Sequence, residues 1–583
     1  MPNHHSDRDQ AIAAPHTHVY PDHIADRLGL GRIPFIVRVG VTGHRSLANP
    51  AEAGKGIVAA FERINDLFGS IGAPVVLNAI SSLAMGADQL LAQAVLETPG
   101  GMLEVPLPYA ADDYRRENFP DRASKDEFDA LLSRAALVET APPTSSPEEG
   151  YERAGKYVVD RCDVLVAVWD GQPGRGRGGT AEVVTYALRS RVPLLVVPPD
   201  GGENGEDLGD GPLAPGFLAL GIDRPPWRRD LEGTISLPID GTRAACKLLA
   251  DYNKTTLFGG RKLRAGKFEA EIASEQSYLP LTDDEYGNEL RELSAWMTPY
   301  FVRADRLAIK YQRWFYRLTT IGFVAAAMAV LTIATVALFW KSHPALAAVE
   351  LFFLALVILV FAFGRRKALH DRWLSARFLA ERLRSAVFLK AAGLGYRREG
   401  GFSGDTSTED EWLRRAYGYV WNTCPQIQVE DSEVEALKGL LVRSWIEGQI
   451  EYHRKTTAWQ RRRYTWLARL SFGLFMVTII IAILHAASLI SGETQDNYLD
   501  LFAICLPAFG SAFAGISAHH QYLRNANVYD RTRRYLLSAK SRMTDAQTLG
   551  EVQAVAATVD EIISDESNDW VGVMKFNDFE IAG

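Results

Sequence analysis

Three stretches of the sequence set small and charged residues at a spacing suited to a phosphorylated ligand. They are Gly40-Val41-Thr42-Gly43-His44-Arg45, Ser81-Ser82-Leu83-Ala84-Met85-Gly86-Ala87-Asp88, and the run from Asp170 and Gly171 through Arg175, Arg177, Gly178, Gly179 and Thr180 to Glu182. Glycines let backbone amides approach a phosphate, and a helix that follows presents free N–H groups with a favourable dipole. The Gly178-Gly179-Thr180 turn suits that role. Arg45, Arg175 and Arg177 can meet phosphate oxygens with a planar fork of donors, whereas Asp88, Asp170 and Glu182 can accept from ribose hydroxyls. With Gly40, Thr42, Gly43, His44, Gly86 and Gly171 they make a candidate nucleotide-binding set. Taken singly, each loop also has a structural reading, since glycine turns often only let strand meet helix. Their coincidence favours binding. Gly54-Lys55-Gly56 is not a Walker P-loop, lacking the spacing and the following Ser or Thr, and HExxH and GxSxG are missing.

Convergence of these loops requires a parallel sheet, because open α/β sheets bind ligands beyond the carboxyl ends of their strands. The pattern supplies one. Short β-branched runs at Ile33–Val41, Pro74–Ser81, Met102–Pro106, Ala136–Thr140, Asp163–Trp169 and Val192–Val197 alternate with helical patterns centred near Ala60, Leu91, Leu131, Tyr157 and Tyr186. This predicts a Rossmann-like α/β domain over 31–200, after a polar, His-bearing leader at 1–30 with no apolar run of signal-peptide type. Residues 201–285 read as a linker or domain extension: 200–216 is dense in Gly, Asp, Glu and Pro, Gly233–Pro238 suggests a short strand and Thr242–Asn253 a helix.

Hydropathy changes beyond residue 286. Apolar runs at about 318–339, 345–363, 470–490 and 499–517 each approach the ~20 residues needed to cross a hydrocarbon core, so four transmembrane helices in two hairpins are expected. They fall in two modules, 286–425 and 430–577. Lys310, Arg313, Arg317, Arg365, Arg366 and Lys367 flank the first hairpin, and Arg461, Arg462, Arg463, Arg469 and Arg524 the second. By the positive-inside rule this places the N-terminal domain and the C-terminus in the cytoplasm, at the inner membrane. Glu350 and His485 are pore candidates within the apolar runs, although both lie nearer a span end than the midplane. Ala325/Ala329 and Ser511/Gly515 place small residues four apart for close helix approach, and Pro507 is expected to kink the fourth span. Each module continues into a long charged helix, His370–Lys390 and His519–Lys540. In the first, Leu369, Trp373, Ala376, Leu383 and Val387 form a stripe that reads either as a packing face or as a self-assembly seam.

The net charge of −8 gives no basic footprint, so nucleic acid is not an expected partner. Cys162, Cys246, Cys424 and Cys505 show no CxxC or Cys/His ligand spacing, which predicts neither a metal site nor a disulfide framework. The expected partners are a nucleotide-derived small molecule, the lipid bilayer and further copies of the chain; no cofactor is required.

GVTGHR at 40–45, SLAMGAD at 82–88, and DVLVAVWDG followed by GGTAE at 163–182 resemble the SLOG superfamily, which groups Lonely-guy enzymes, DprA-like proteins and nucleotide-sensing regions of some ion channels. The tandem membrane units resemble SLATT modules, two-transmembrane effectors of bacterial conflict systems, through Arg377-Phe378-Leu379-Ala380-Glu381-Arg382-Leu383-Arg384 and Glu566-Ser567-Asn568-Asp569-Trp570. Such a resemblance implies a sensor of a nucleotide or an NAD- or ADP-ribose-derived signal, joined to a pore or membrane-disrupting effector in antiviral defence. Lonely-guy enzymes instead hydrolyse nucleotide N-glycosidic bonds through a PGGxGTxxE motif whose Glu is catalytic. Here Glu182 stands two residues after Thr180 rather than three, a shift of about 100° around a helix. Sensing therefore ranks above hydrolysis, with a membrane-tethered N-glycosidase using Glu182 as the alternative and a ligand-free scaffold as a third reading.

Overall fold

The computed structural model describes residues 29–172, 178–199, 237–257, 261–277, 285–340, 344–395, 408–486 and 493–575. By its internal contacts the chain divides into two compact units, one of residues 1–255 with 405–423 and one of 256–404 with 424–583.

In the first unit the six β-branched runs form one all-parallel sheet: β1 (Phe35–Gly43), β2 (Val75–Ile80), β3 (Met102–Leu107), β4 (Leu137–Thr140), β5 (Val164–Val168) and β6 (Leu194–Val197). Their order is β4-β3-β2-β1-β5-β6, with Phe35 opposite Val75 and Val39 opposite Val164. Near-continuous apolar runs such as Val164–Val168 are buried throughout, as a sheet covered on both faces requires. The covering helices are α1 (Pro50–Gly69), α2 (Ala87–Glu97), α3 (Ala111–Asn118), α4 (Arg122–Ser133), α5 (Pro147–Arg161) and α6 (Thr180–Arg189). Local chemistry sets their starts. Asn49 caps α1 and Ser146 caps α5, each followed by Pro at the first helical position, and Asp121 with Ser124 forms a capping box on α4. Helix α3 is an addition to the elements read from sequence.

Among the described residues two further helices belong to this unit. Helix α7 (Leu237–Lys254) contains the expected Thr242–Asn253 helix; of the suggested strand at 233–238, Leu237 and Pro238 begin α7 and the remainder lies outside the described residues. Asn253 clips α7 to the sheet, its amide accepting from Ile33 N (3.1 Å) and donating to Ile33 O (2.7 Å). Residues 408–423, read from sequence as part of the first membrane module, form a helix, here labelled α12, that packs with the sheet. Its Arg415 makes a bidentate pair with Asp163, 2.6 Å to each carboxylate oxygen, and donates to Ile36 O. Both side chains are only 4 % exposed. Arg38 and Glu411 extend the network at 3.4 and 2.7 Å. Burial would push the Asp163 carboxyl up, but Arg415 and Arg38 override it and hold it well below the usual carboxylate range.

The described residues of the second unit form helices: α8 (Arg261–Gln276), α9 (Glu285–Phe339), α10 (Pro344–Arg366), α11 (Leu369–Ala391), α13 (Val434–Leu440), α14 (Glu447–Ala486), α15 (Glu493–His519), α16 (Tyr522–Asp545) and α17 (Leu549–Lys575). Among the described residues four helices, within α9, α10, α14 and α15, are long and apolar enough to cross a membrane. Helix α9 packs on α10 and α14 on α15, giving the expected hairpins, while α9 also packs on α15. That contact uses a small residue. A side chain at Gly515 would come within 2.6 Å of Phe323. Ala325 and Ala329 are buried as well, whereas Ser511 is exposed. Helices α10 and α14 carry the outward apolar surface, with Leu351 67 % and Phe472 64 % exposed, a pattern that suits lipid rather than water. Helix α15 continues through Pro507.

A left-handed residue ends each hairpin, Ala368 (φ 45°) before α11 and Gln521 (φ 51°) before α16, so both modules turn by the same device. The stripe on α11 is a packing face: Leu369, Trp373, Ala376 and Leu383 are buried within the chain itself, which removes them as an external seam.

Candidate nucleotide site at the carboxyl edge of the sheet

Strand order reverses between β1 and β5, since β2, β3 and β4 extend to one side of β1 while β5 and β6 extend to the other. The loops after these two strands bound the crevice where such sheets bind ligands. Two of the three candidate stretches lie there: 40–45 ends β1 and leads out of it, and 170–182 runs from β5 to the first turn of α6, with 173–177 outside the described residues. The third follows β2 and is pressed against the first. Gly86, at φ 84° and heading α2, leaves only 2.5 and 2.6 Å between a would-be Cβ and the carbonyl oxygens of His44 and Arg45. Gly43 abuts Ala87 at 2.4 Å in the same sense, and Ala87 N donates to His44 O at 3.1 Å. Gly40 serves packing, with Val158 of α5 and Cys162 just after it within 2.9 Å of its would-be Cβ, and Thr42 is buried.

At the crevice itself His44 Nε2 lies 3.2 Å from Asp170 Oδ1, and both side chains are partly open to solvent. Gly171 takes φ 77° while Asp170 accepts from Gln172 N, which turns the loop away from β5. Gly178, at φ 76°, packs against Tyr151, where a Cβ would be 2.7 Å from the tyrosine Cβ. Gly179 caps α6 and Thr180 begins it. Glu182 bends back to accept from Gly178 N at 2.6 Å, so a carboxylate closes the turn just before this helix start. Arg175 and Arg177 lie outside the described residues.

Asp88 is placed differently from the other carboxylates. It is 8 % exposed and faces Ser81 Oγ at 3.4 Å, and burial pushes its carboxyl up to about 7 against the Ser81 hydroxyl, backbone amides of the loop and the Arg45 charge. It ties the second loop together, leaving Asp170 and Glu182 as the carboxylates at the surface.

Three residues that sequence reading missed complete the site. Tyr109 follows β3, Asn118 ends α3 and Tyr151 sits in the first turns of α5. Asn118 accepts from Arg45 Nη1 (3.1 Å) and Tyr151 OH (2.8 Å) and donates to Tyr109 OH (3.0 Å), while the two tyrosine hydroxyls stand 2.9 Å apart. The Arg45 guanidinium lies 5.3 Å from the centre of the Tyr151 ring. Their signal was weak because no glycine or periodic charge marks them; only the return of α3 and α5 to the same edge brings them together. No cluster of three metal-ligating groups occurs among the described residues.

In the helical unit, the RFLAERLR stretch makes a buried polar seam. Arg382 pairs with Asp560 at 3.1 Å and with Ser564, Glu381 with Arg377 and Arg384, and Glu566 lies 3.2 Å from His453. His485 faces Asp500 at 3.5 Å at the end of the second hairpin where the chain passes from α14 to α15, with both side chains exposed.

Fold and site together define a parallel α/β domain joined to a membrane region of four apolar helices. Residues 442–570, the second membrane module, match the family described as SMODS and SLOG-associating 2TM effector domain 1. That similarity and the four apolar helices mark the chain as a membrane-associated effector. No curated protein gives a significant match to the chain.

Proposed function

We propose that the chain is a membrane effector of bacterial antiviral defence whose sheet domain, of SLOG type, senses a nucleotide or an NAD- or ADP-ribose-derived signal. The observation that carries this is the arrangement at the β1/β5 crevice: His44 meets Asp170 where the strand order reverses, Arg45 and the Gly178 turn before α6 share Tyr151 as a neighbour, and Arg45 makes no ion pair among the described residues. An exposed guanidinium held by a neutral amide suits a phosphate. The carboxylates of Asp170 and Glu182 suit ribose hydroxyls.

Ligand binding then biases the packing of the hairpins, which requires that the ligand bind one state better than the other. On this reading the sheet domain and the C-terminus face the cytoplasm, the protein sits in the inner membrane, and several copies assemble to breach it. Sensing stands above N-glycoside hydrolysis because Glu182 is engaged at Gly178 N as a loop-closing group. Dye release from liposomes holding the purified protein, across ADP-ribose derivatives and cyclic nucleotides with chromatography of the recovered ligand, tests the reading. Leakage with intact ligand is expected; cleaved ligand without leakage would make the protein a glycosidase.

A further inference from the structure

Asn118 uses all of its hydrogen-bonding capacity. Its Oδ1 accepts from Arg45 Nη1 and from Tyr151 OH, and its Nδ2 donates to Tyr109 OH and to Tyr114 O, both at 3.0 Å. Rotating the amide would face its NH2 towards the guanidinium, a donor, so the network fixes which end points at Arg45. Tyr151 is the second hub. Its ring lies under Arg45, its hydroxyl reaches Asn118 and Tyr109, and its Cβ backs the Gly178 turn. Arg45 and the start of α6 are therefore both held against one residue.

An arginine oriented by a side chain is commonly held by a carboxylate, which also cancels its charge. Here the charge is left standing. The carboxylate that reaches the cluster, Glu117, is hydrogen-bonded to Tyr109 OH, not to Arg45, and Asp88 is buried beneath the loop. Glu117 thus leaves the Arg45 face open.

We propose that Asn118 is a positioning residue that orients Arg45 through a neutral oxygen so that the full guanidinium charge meets a phosphate group of the ligand, with Tyr109 and Tyr151 holding the amide in register. This deepens the nucleotide-sensing reading and rests on it: the moiety recognised at Arg45 is the phosphate, and selection between a nucleotide and its nucleoside is made here.

The test is calorimetric titration of the full-length protein in detergent with ADP-ribose, ADP and adenosine. Asn118→Asp keeps an acceptor for Arg45 and Tyr151 but supplies a carboxylate partner. It should weaken ADP-ribose and ADP at least tenfold, since a charge-assisted contact is lost to an internal competitor, and flatten the salt dependence, while leaving adenosine unchanged. Tyr151→Phe, which keeps the ring and removes the hydroxyl contacts to Asn118 and Tyr109, should weaken the phosphorylated probes by a smaller factor and guards against a folding defect in the first variant. Phosphorylated probes bound equally by wild type and both variants would overturn the role of Asn118 alone. Equal loss of adenosine and ADP would overturn it too, by showing a structural effect. A wild-type protein that binds none of the three would overturn the nucleotide reading itself.

Discussion

Substitution of Arg415 by Met should loosen the edge of the sheet where β5 begins. Arg415 fills both oxygens of Asp163 at 2.6 Å, donates to Ile36 O at 2.7 Å and also meets Glu411 at 2.7 Å, in a site where the Arg and Asp side chains are each 4 % exposed. Breaking a buried pair from one side leaves an uncompensated charge and costs about 3–5 kcal/mol. Arg38 remains, through its backbone N–H at 2.7 Å and a longer side-chain contact at 3.4 Å, so the cost should sit near the lower end of that range. Ile36 O loses a donor as well, worth about 1 kcal/mol. A total of about 3–4 kcal/mol corresponds to a few hundred-fold in the opening equilibrium. Because a two-unit membrane protein is not two-state, the assay is hydrogen exchange of the full-length chain in detergent, read on peptides from 408–423 and from β5. Those peptides should exchange roughly a few hundred times faster in Arg415→Met, and the double variant Arg415→Met/Asp163→Leu should recover much of the protection, since an apolar pair of similar volume removes the stranded charge. Unchanged exchange at 408–423 in the single variant would refute the clamp.

Gly86→Ala should destabilise the sheet unit by about 1–3 kcal/mol through its positive φ and the 2.5 Å approach to His44 O, seen as faster exchange in α2 and the 40–45 loop. Two carboxyls set opposing pH dependences. Asp163, held low, contributes stability that is complete above the ordinary carboxylate range and is lost as pH falls below it; Asp88, raised to about 7, binds a proton in the folded state that the unfolded chain has released, so stability declines as pH rises from about 4 to 7. Protection of the 81–88 loop should therefore fall between pH 5 and pH 8 after correction for intrinsic exchange, and Asp88→Asn should abolish that fall. Gly515→Leu, which must displace Phe323, should weaken the contact between the two hairpins and raise basal dye leakage from liposomes; leakage equal to wild type would remove that contact from the closed state.

The sheet was legible because each of its strands is a short β-branched run bounded by turn residues, and its six runs lie within a few residues of those read from sequence. The four spans were legible for the same kind of reason, length and apolarity, which are local properties. What sequence did not show is non-local. Arg415 meets Asp163 across 252 positions, and nothing in the composition of 408–423 distinguishes a helix that packs on the sheet from one that packs on its chain neighbours. Likewise the glycine loops were visible, but Gly40, Gly43 and Gly86 turned out to have steric reasons of their own, and the side chains that hold Arg45 came from α3 and α5. The α11 stripe had the period of a seam and is a core face, because periodicity reports that a face is buried and not by what.

The chain passes between the two units three times, near residues 255, 404 and 423, and the last two passages bracket α12. A signal at the crevice must reach the hairpins through elements that the ligand can bias, and β5 is the strand with a stake at both ends: Asp163, just before it, grips Arg415, and Asp170, just after it, faces His44. If the proposed function holds, Asp163→Asn should separate binding from effect. The substitution leaves the crevice side chains in place, so ADP-ribose affinity should stay within about threefold of wild type, while an Asn in that position replaces a charged bidentate partner by a neutral one and lets α12 loosen. Ligand-induced leakage should then fall by tenfold or more at saturating ligand. Loss of binding in parallel with leakage would mean that Asp163 supports the site itself, and full leakage with a loosened α12 would show that the signal travels by the passage near residue 255 instead.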